Sequence, residues 1–82
     1  MEQQNTFFGN EQCPHCRKAL EHLKEKGINY QFIEIPMDHA ERPNVQFQDT
    51  TFDKLFENIT IPKMIAGTTK LQSSDEIVAH FP

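Results

Sequence analysis

The sequence predicts an α/β fold with its elements in the order β-α-β-α-β-β-α, and three observations carry that reading. A strand, a helix and a second strand follow one another between Thr6 and Ile35; such a βαβ unit makes a right-handed crossover in nearly all cases. A Gly67-Thr68 turn joins two short strand-like runs near the end of the chain. Between the first strand and the first helix stands Cys13-Pro14-His15-Cys16, and two thiols at that spacing on a strand–helix junction are a redox signature.

Thr6 to Gly9 reads as a short strand, with Phe7 and Phe8 on opposite faces because side chains alternate along a strand. Gly9-Asn10-Glu11-Gln12 is the loop that delivers the chain to Cys13. The helix then runs to about Lys26, with Cys16, Ala19, Leu20 and Leu23 on one face. Gly27 is its stop. Pro14 suits the first turn, where its missing N–H would be unpaired anyway. Ile28 to Ile35 is the strongest strand, and Pro36 ends it. Met37 to Gln48 carries Pro43 and little periodicity, so it reads mostly as loop.

Thr50 or Thr51 caps a second helix, whose apolar face is Phe52, Leu55, Phe56 and Ile59 at i, i+3, i+4 and i+7. Thr60 to Ala66 is a third strand, with Pro62 near its start, where no ladder N–H is required. Thr69 to Gln72 returns as the fourth strand of a hairpin. Ser73 and Ser74, followed by Asp75-Glu76, form the cap and acidic first turn of a last helix. Asp75 is assigned to that cap, and Ile77, Val78 and Phe81 face the core.

Composition narrows the function. Residues 1–82 make one domain, a size that buries roughly 60–65% of its unfolded-chain surface. The net charge of −4 argues against nucleic acid, which calls for a basic face. Lys and Arg are scattered, so no polybasic membrane patch forms, and no apolar stretch approaches the ~20 residues of a membrane span. The polar Met1–Asn5 lacks a basic n-region and an apolar h-region, which predicts no secretory signal and a cytoplasmic location. There a lone cysteine pair is catalytic or metal-binding more often than a structural staple.

Cys13 leads the helix, near unpaired backbone N–H groups and the positive end of the dipole. Such a position lowers a thiol's pKa and makes it a nucleophile near neutral pH. Cys16 falls on the apolar stripe and is expected to be the more buried thiol. The alternative, half a zinc site, lacks a second CxxC, and His15, His22, His39 and His80 do not have the usual ligand spacing. His15 abuts the nucleophile and either tunes it or is an exposed spacer; the other three histidines read as surface residues. Lys63 reads as surface charge, with guidance of an acidic partner or of a ligand's carboxylate as its other role. Tyr30 and Met64 read as packing residues.

Over nearly the whole chain these features resemble the glutaredoxins, small members of the thioredoxin fold with a four-stranded mixed sheet flanked by helices. Phe8-Gly9 with Cys13-Pro14-His15-Cys16, the triplet Thr60-Ile61-Pro62, and Ser74-Asp75 carry the resemblance. It implies a thiol–disulfide oxidoreductase in which Cys13 and Cys16 are catalytic and Pro14 and His15 set the Cys13 pKa. It also implies a cis peptide at Pro62, an Ile61 backbone that pairs with substrate, and glutathione contacts from Thr60, Ile61, Pro62, Ser74 and Asp75. Glutathione is the implied reductant, with no bound cofactor and no metal. Disulfide-bearing proteins are the implied partners, with ribonucleotide reductase among them, and the chain is expected to be a monomer.

Three departures accompany the resemblance. His15 stands where tyrosine is usual and gives the Cys-Pro-His-Cys of strongly oxidising periplasmic disulfide donors. Asn10 stands where a basic residue often holds a glutathione carboxylate. Leu71-Gln72-Ser73 stands where many members have a Gly-Gly pair. The alternatives are a glutaredoxin-shaped protein recycled by thioredoxin reductase with little glutathione binding, and a non-catalytic module holding a [2Fe–2S] cluster or a metal.

Overall fold

In the computed structural model, which describes residues 5–82, β1 (Asn5–Gly9) lies inside a four-stranded mixed sheet. On one side it pairs in parallel with β2 (Gln31–Glu34), setting Phe7 beside Phe32. On the other it pairs antiparallel with β5 (Lys63–Ala66), setting Phe7 beside Met64. β6 (Thr69–Leu71) closes the sheet as an antiparallel edge on β5. The polar stretch 1–4 lies outside the described residues.

The alternation of Phe7 and Phe8 builds two cores, one on each side of the sheet. Phe7 is fully buried with Cys16, Ala19, Leu20 and Leu23 of α1 (Pro14–Glu25), and with Ile77 of α3 (Ser74–His80). Phe8 is fully buried on the other face, its ring 5.1 Å from Phe47, 5.7 Å from Phe52 and 5.6 Å from Phe56, centroid to centroid. Edge-on and tilted aromatic pairs at these spacings add to simple area burial. Tyr30 and Met64 pack against the Phe7 core, as expected. His22 is half-buried rather than fully exposed, and its Nε2 meets the Phe81 carbonyl where α1 packs on α3.

The four apolar positions read from α1 are its four buried residues. Gly27, at φ +67°, closes the helix in a Schellman arrangement: its N–H bonds the Lys24 carbonyl, and the Ile28 N–H bonds the Leu23 carbonyl. That cap takes Ile28 out of the predicted strand, so β2 starts at Gln31. The third strand is shortened too: Thr60, Ile61 and Pro62 precede β5 instead of belonging to it.

Two other expectations are corrected. The predicted loop 37–48 holds a 3-10 helix (His39–Asn44), capped by Asp38 through the Ala40 N–H. It also holds β3 (Gln46–Phe47), paired in a small hairpin with β4 (Thr50–Thr51). Arg42, 4% exposed, organises this segment by donating to the carbonyls of Pro36, Met37 and Ile59 at 2.8, 3.2 and 2.9 Å. A single buried arginine leaves no periodic signature, which is why the sequence reads as loop. The second helix, α2 (Phe52–Leu55), is one turn long, and Phe56 is already extended. Asn58 Oδ1 accepts from the Thr60 N–H and hydroxyl, a local bond that competes with helix propagation. Phe52 and Phe56 still reach one core, with Leu55 and Ile59 packed against it.

Candidate functional site

Asn10 builds the turn that presents the two thiols. Its side chain donates to the Ile35 carbonyl at 3.0 Å and accepts from the Gln12 N–H at 2.9 Å, and its own carbonyl accepts from the Cys13 N–H at 3.0 Å. The residue is buried, 8% exposed. The position read as a departure in ligand binding is thus a structural pin. Cys13 is the N-cap of α1 in extended conformation, followed by Pro14 at the first helical position.

Cys16 is 0% exposed and Cys13 9%. The order of burial is as expected, although Cys13 sits at the rim of the core rather than on open surface. Burial pushes the Cys16 thiol up from 9.0 to about 12; the Asn10 N–H, 3.4 Å from its sulfur, works against that rise, and the neighbouring Cys13 adds to it. Gly9 backs onto the same sulfur: a β-carbon there would stand 2.8 Å from Cys16 Sγ and 2.7 Å from Phe7 Cε1. Only a glycine leaves that room.

The Ile61–Pro62 peptide is cis, and Ile61 packs against the core that contains both cysteines. His15, Thr60–Pro62 and Gln72–Asp75 line one cleft of about 250 Å³. Of the predicted site residues, His15, Thr60, Ile61, Pro62, Ser74 and Asp75 therefore converge, with Cys13 two residues from His15. Pro14 is exposed at the start of α1. The cap of α3 belongs to Ser73, whose Oγ accepts from the Glu76 N–H at 3.2 Å; Asp75 is exposed in the first turn.

Sequence reasoning missed three participants. Gln72 and Ser73 line the cleft, where only the helix start had drawn notice. Lys63 is 1% exposed, which corrects its reading as surface charge. Its place one residue after Pro62, at the head of an interior strand, was the available signal. A larger groove of about 670 Å³ runs between α1 and the β2 edge, lined by Arg17, Leu20, Lys24, Tyr30 and Phe32 among others. It contains neither thiol. Among the described residues no three His, Cys, Asp or Glu side chains gather as a metal site.

A mixed sheet with a Cys-x-x-Cys pair on the first strand–helix junction and a cis-proline beside it defines the thioredoxin-like class. A solved glutaredoxin from Brucella melitensis superposes with a TM-score of 0.66 at 20% identity, over 93% of this chain and 75% of that one. Glutaredoxin 1 from Francisella tularensis, solved with cacodylate, gives 0.65 at 16% identity over 96% and 92%. A glutathione transferase homolog from Drosophila mojavensis, solved with bound glutathione, gives 0.81 at 16% identity over 96% of this chain. The chain spans 34% of that protein's length. No curated protein sequence matches. The glutaredoxin family profile matches residues 5–51, more than half the chain; the chain belongs to the glutaredoxin family.

Proposed function

We propose that the chain is a thiol–disulfide oxidoreductase that reduces glutathione-mixed or protein disulfides through Cys13 and Cys16. The observation that carries this is the graded burial of the pair at the start of α1, beside cis-Pro62. Cys13, at the rim, attacks one sulfur of the substrate disulfide as a thiolate, forming a mixed disulfide and releasing the other half as thiolate. Cys16, sealed and held protonated, cannot compete in that first step. It then attacks the Cys13 sulfur: the Cys13–Cys16 bond forms, the mixed disulfide breaks, and the Cys16 proton ends on the departing thiolate. Two glutathione thiols reduce the resulting pair and leave as glutathione disulfide. Rates follow from thiolate fraction, nucleophilicity and leaving-group pKa.

The cleft beside His15 takes the glutathione part of the substrate, and the Ile61 backbone supports its extended chain. Asn10 is committed to holding its own loop, so glutathione contacts come from Thr60–Pro62 and Gln72–Asp75. His15, two residues from the nucleophile, lines the same cleft. The reaction belongs in the cytoplasm, where reductant is supplied continuously.

The test is turnover of the mixed disulfide of glutathione and 2-mercaptoethanol, with glutathione, glutathione reductase and NADPH. A parallel assay supplies thioredoxin reductase instead. Turnover that Cys13→Ser abolishes is the expected result. No turnover with either reductant, or activity indifferent to Cys13→Ser, overturns the proposal. Turnover with thioredoxin reductase alone would move the reductant from glutathione to that enzyme.

A further inference from the structure

Lys63 opens β5 immediately after cis-Pro62, and its ammonium is inside the protein. An ammonium taken out of water is destabilising by several kcal/mol unless it is fully hydrogen-bonded. Nζ donates to Thr60 Oγ1 at 2.8 Å and to the Gln72 carbonyl at 2.7 Å. Thr60 and Gln72 belong to the two separate segments that line the cleft. Among the described residues no other hydrogen bond joins those segments. The first segment is anchored in turn, because the Thr60 hydroxyl donates to Asn58 Oδ1 at 2.6 Å.

The energetics run against a structural filler. Burial lowers the Lys63 pKa, opposed by the charges of Glu76 on α3 and Glu57 after α2. An apolar side chain would occupy this position without that penalty, and it would leave the two segments untied. The side-chain Oε1 of Gln72 is itself buried with no hydrogen-bond partner. Buried orphan acceptors are uncommon in native proteins, and this one belongs to a cleft-lining residue, where a ligand N–H can meet it.

We propose that Lys63 is a positioning residue for the cleft, fastening Thr60–Pro62 to Gln72–Ser74 so that affinity for a peptidic ligand such as glutathione depends on it. The dithiol chemistry of Cys13 and Cys16 does not. This rests on the reading that the cleft takes glutathione, and the wild-type protein tests that reading separately by its turnover of the mixed disulfide of glutathione and 2-mercaptoethanol.

Lys63→Met keeps most of the length of the side chain and removes both bonds. Losing one hydrogen bond to a charged group corresponds to about tenfold in an equilibrium, so KM for the mixed disulfide is expected to rise about tenfold. The limiting kcat and the dithiol–disulfide equilibrium with glutathione stay at wild-type values. Lys63→Arg, which keeps the charge and the donors, recovers part of the KM. If Lys63→Met does not fold, Lys63→Gln, uncharged and polar, is measured in its place with the same expected rise. An unchanged KM in the neutral variant overturns the proposal, as does a loss confined to kcat or to the dithiol equilibrium. Wild-type protein that does not turn over the mixed disulfide refutes the glutathione reading instead.

Discussion

Replacing Gly9 by alanine would place a methyl group 2.7 Å from Phe7 Cε1 and 2.8 Å from Cys16 Sγ. Neither neighbour has room to give way. Phe7 and Cys16 are both fully buried, and the Phe7 ring is fixed between Tyr30 and Phe32 at centroid distances of 6.0 and 5.8 Å. The backbone is held as well, since the Gly9 carbonyl accepts from the Ile35 N–H at 2.8 Å. Overpacking of this kind destabilises by about 1–3 kcal/mol. The stiffer unfolded chain returns about 0.4–1 kcal/mol, which leaves a net loss of roughly 1–2 kcal/mol. For a domain of this size that lowers Tm by about 4–8 °C per kcal/mol.

Thermal and urea unfolding of the reduced protein measure the loss, and a double-mutant cycle with Cys16→Ala apportions it. Removing the sulfur opens one of the two clashes, so the penalty of Gly9→Ala in that background is expected to shrink by about 0.5 kcal/mol or more. A neutral Gly9→Ala, or a penalty unaltered by Cys16→Ala, refutes the reading that this glycine seats the Cys16 sulfur.

The remaining predictions concern the charged and titrating groups. Arg42→Met strands the carbonyls of Pro36, Met37 and Ile59; urea titration is expected to show a loss of about 3 kcal/mol or more, at about 1–3 kcal/mol for each buried group left unpaired. Asn10→Ala removes the bonds to the Ile35 carbonyl and the Gln12 N–H, with an expected loss of about 1–3 kcal/mol and faster alkylation of Cys16 as the loop loosens. In the wild type, iodoacetamide followed by peptide mapping should modify Cys13 first, with Cys16 unreactive at neutral pH because burial holds it at about 12.

Alkaline stability has a definite sign. The Cys16 value in the folded chain, about 12, lies above the 9.0 of an exposed thiol. Its contribution is therefore complete below about pH 9 and lost as pH climbs toward 12. Lys63 is shifted down from 10.5, so its term has the opposite slope and stability is recovered as pH rises through its folded value. Cys16→Ala should flatten the fall and leave the lysine term, as urea midpoints across the alkaline range would show.

The order of the four main-sheet strands and the three α-helices, the two-sided placement of Phe7 and Phe8, and the buried stripe of α1 were legible from the residues. These are properties of local period, and a sheet or helix must hide its apolar face wherever it lies. Cys13, Cys16 and Pro62 were legible for a related reason: a thiol pair on a helix start and a proline just ahead of a strand are marked by backbone features close in sequence. The one-turn α2 was misread because its apolar spacing is helical while Asn58 captures the backbone a few residues on.

What the tertiary structure alone decided is the surroundings of those residues. Asn10, Arg42 and Lys63 are polar side chains that a sequence assigns to the surface by type. Each is buried here because a backbone carbonyl from another segment meets it. The cleft that joins His15 to Thr60–Pro62 and Gln72–Asp75 likewise brings together residues far apart in the chain, and the gap behind Cys16 that only Gly9 leaves open is set by the packing of α1 on β1. Sequence determined which residues carry thiols at the helix start and roughly where in the fold they stand. Long-range packing decided what holds them there, since such partnerships have no local period from which to be read.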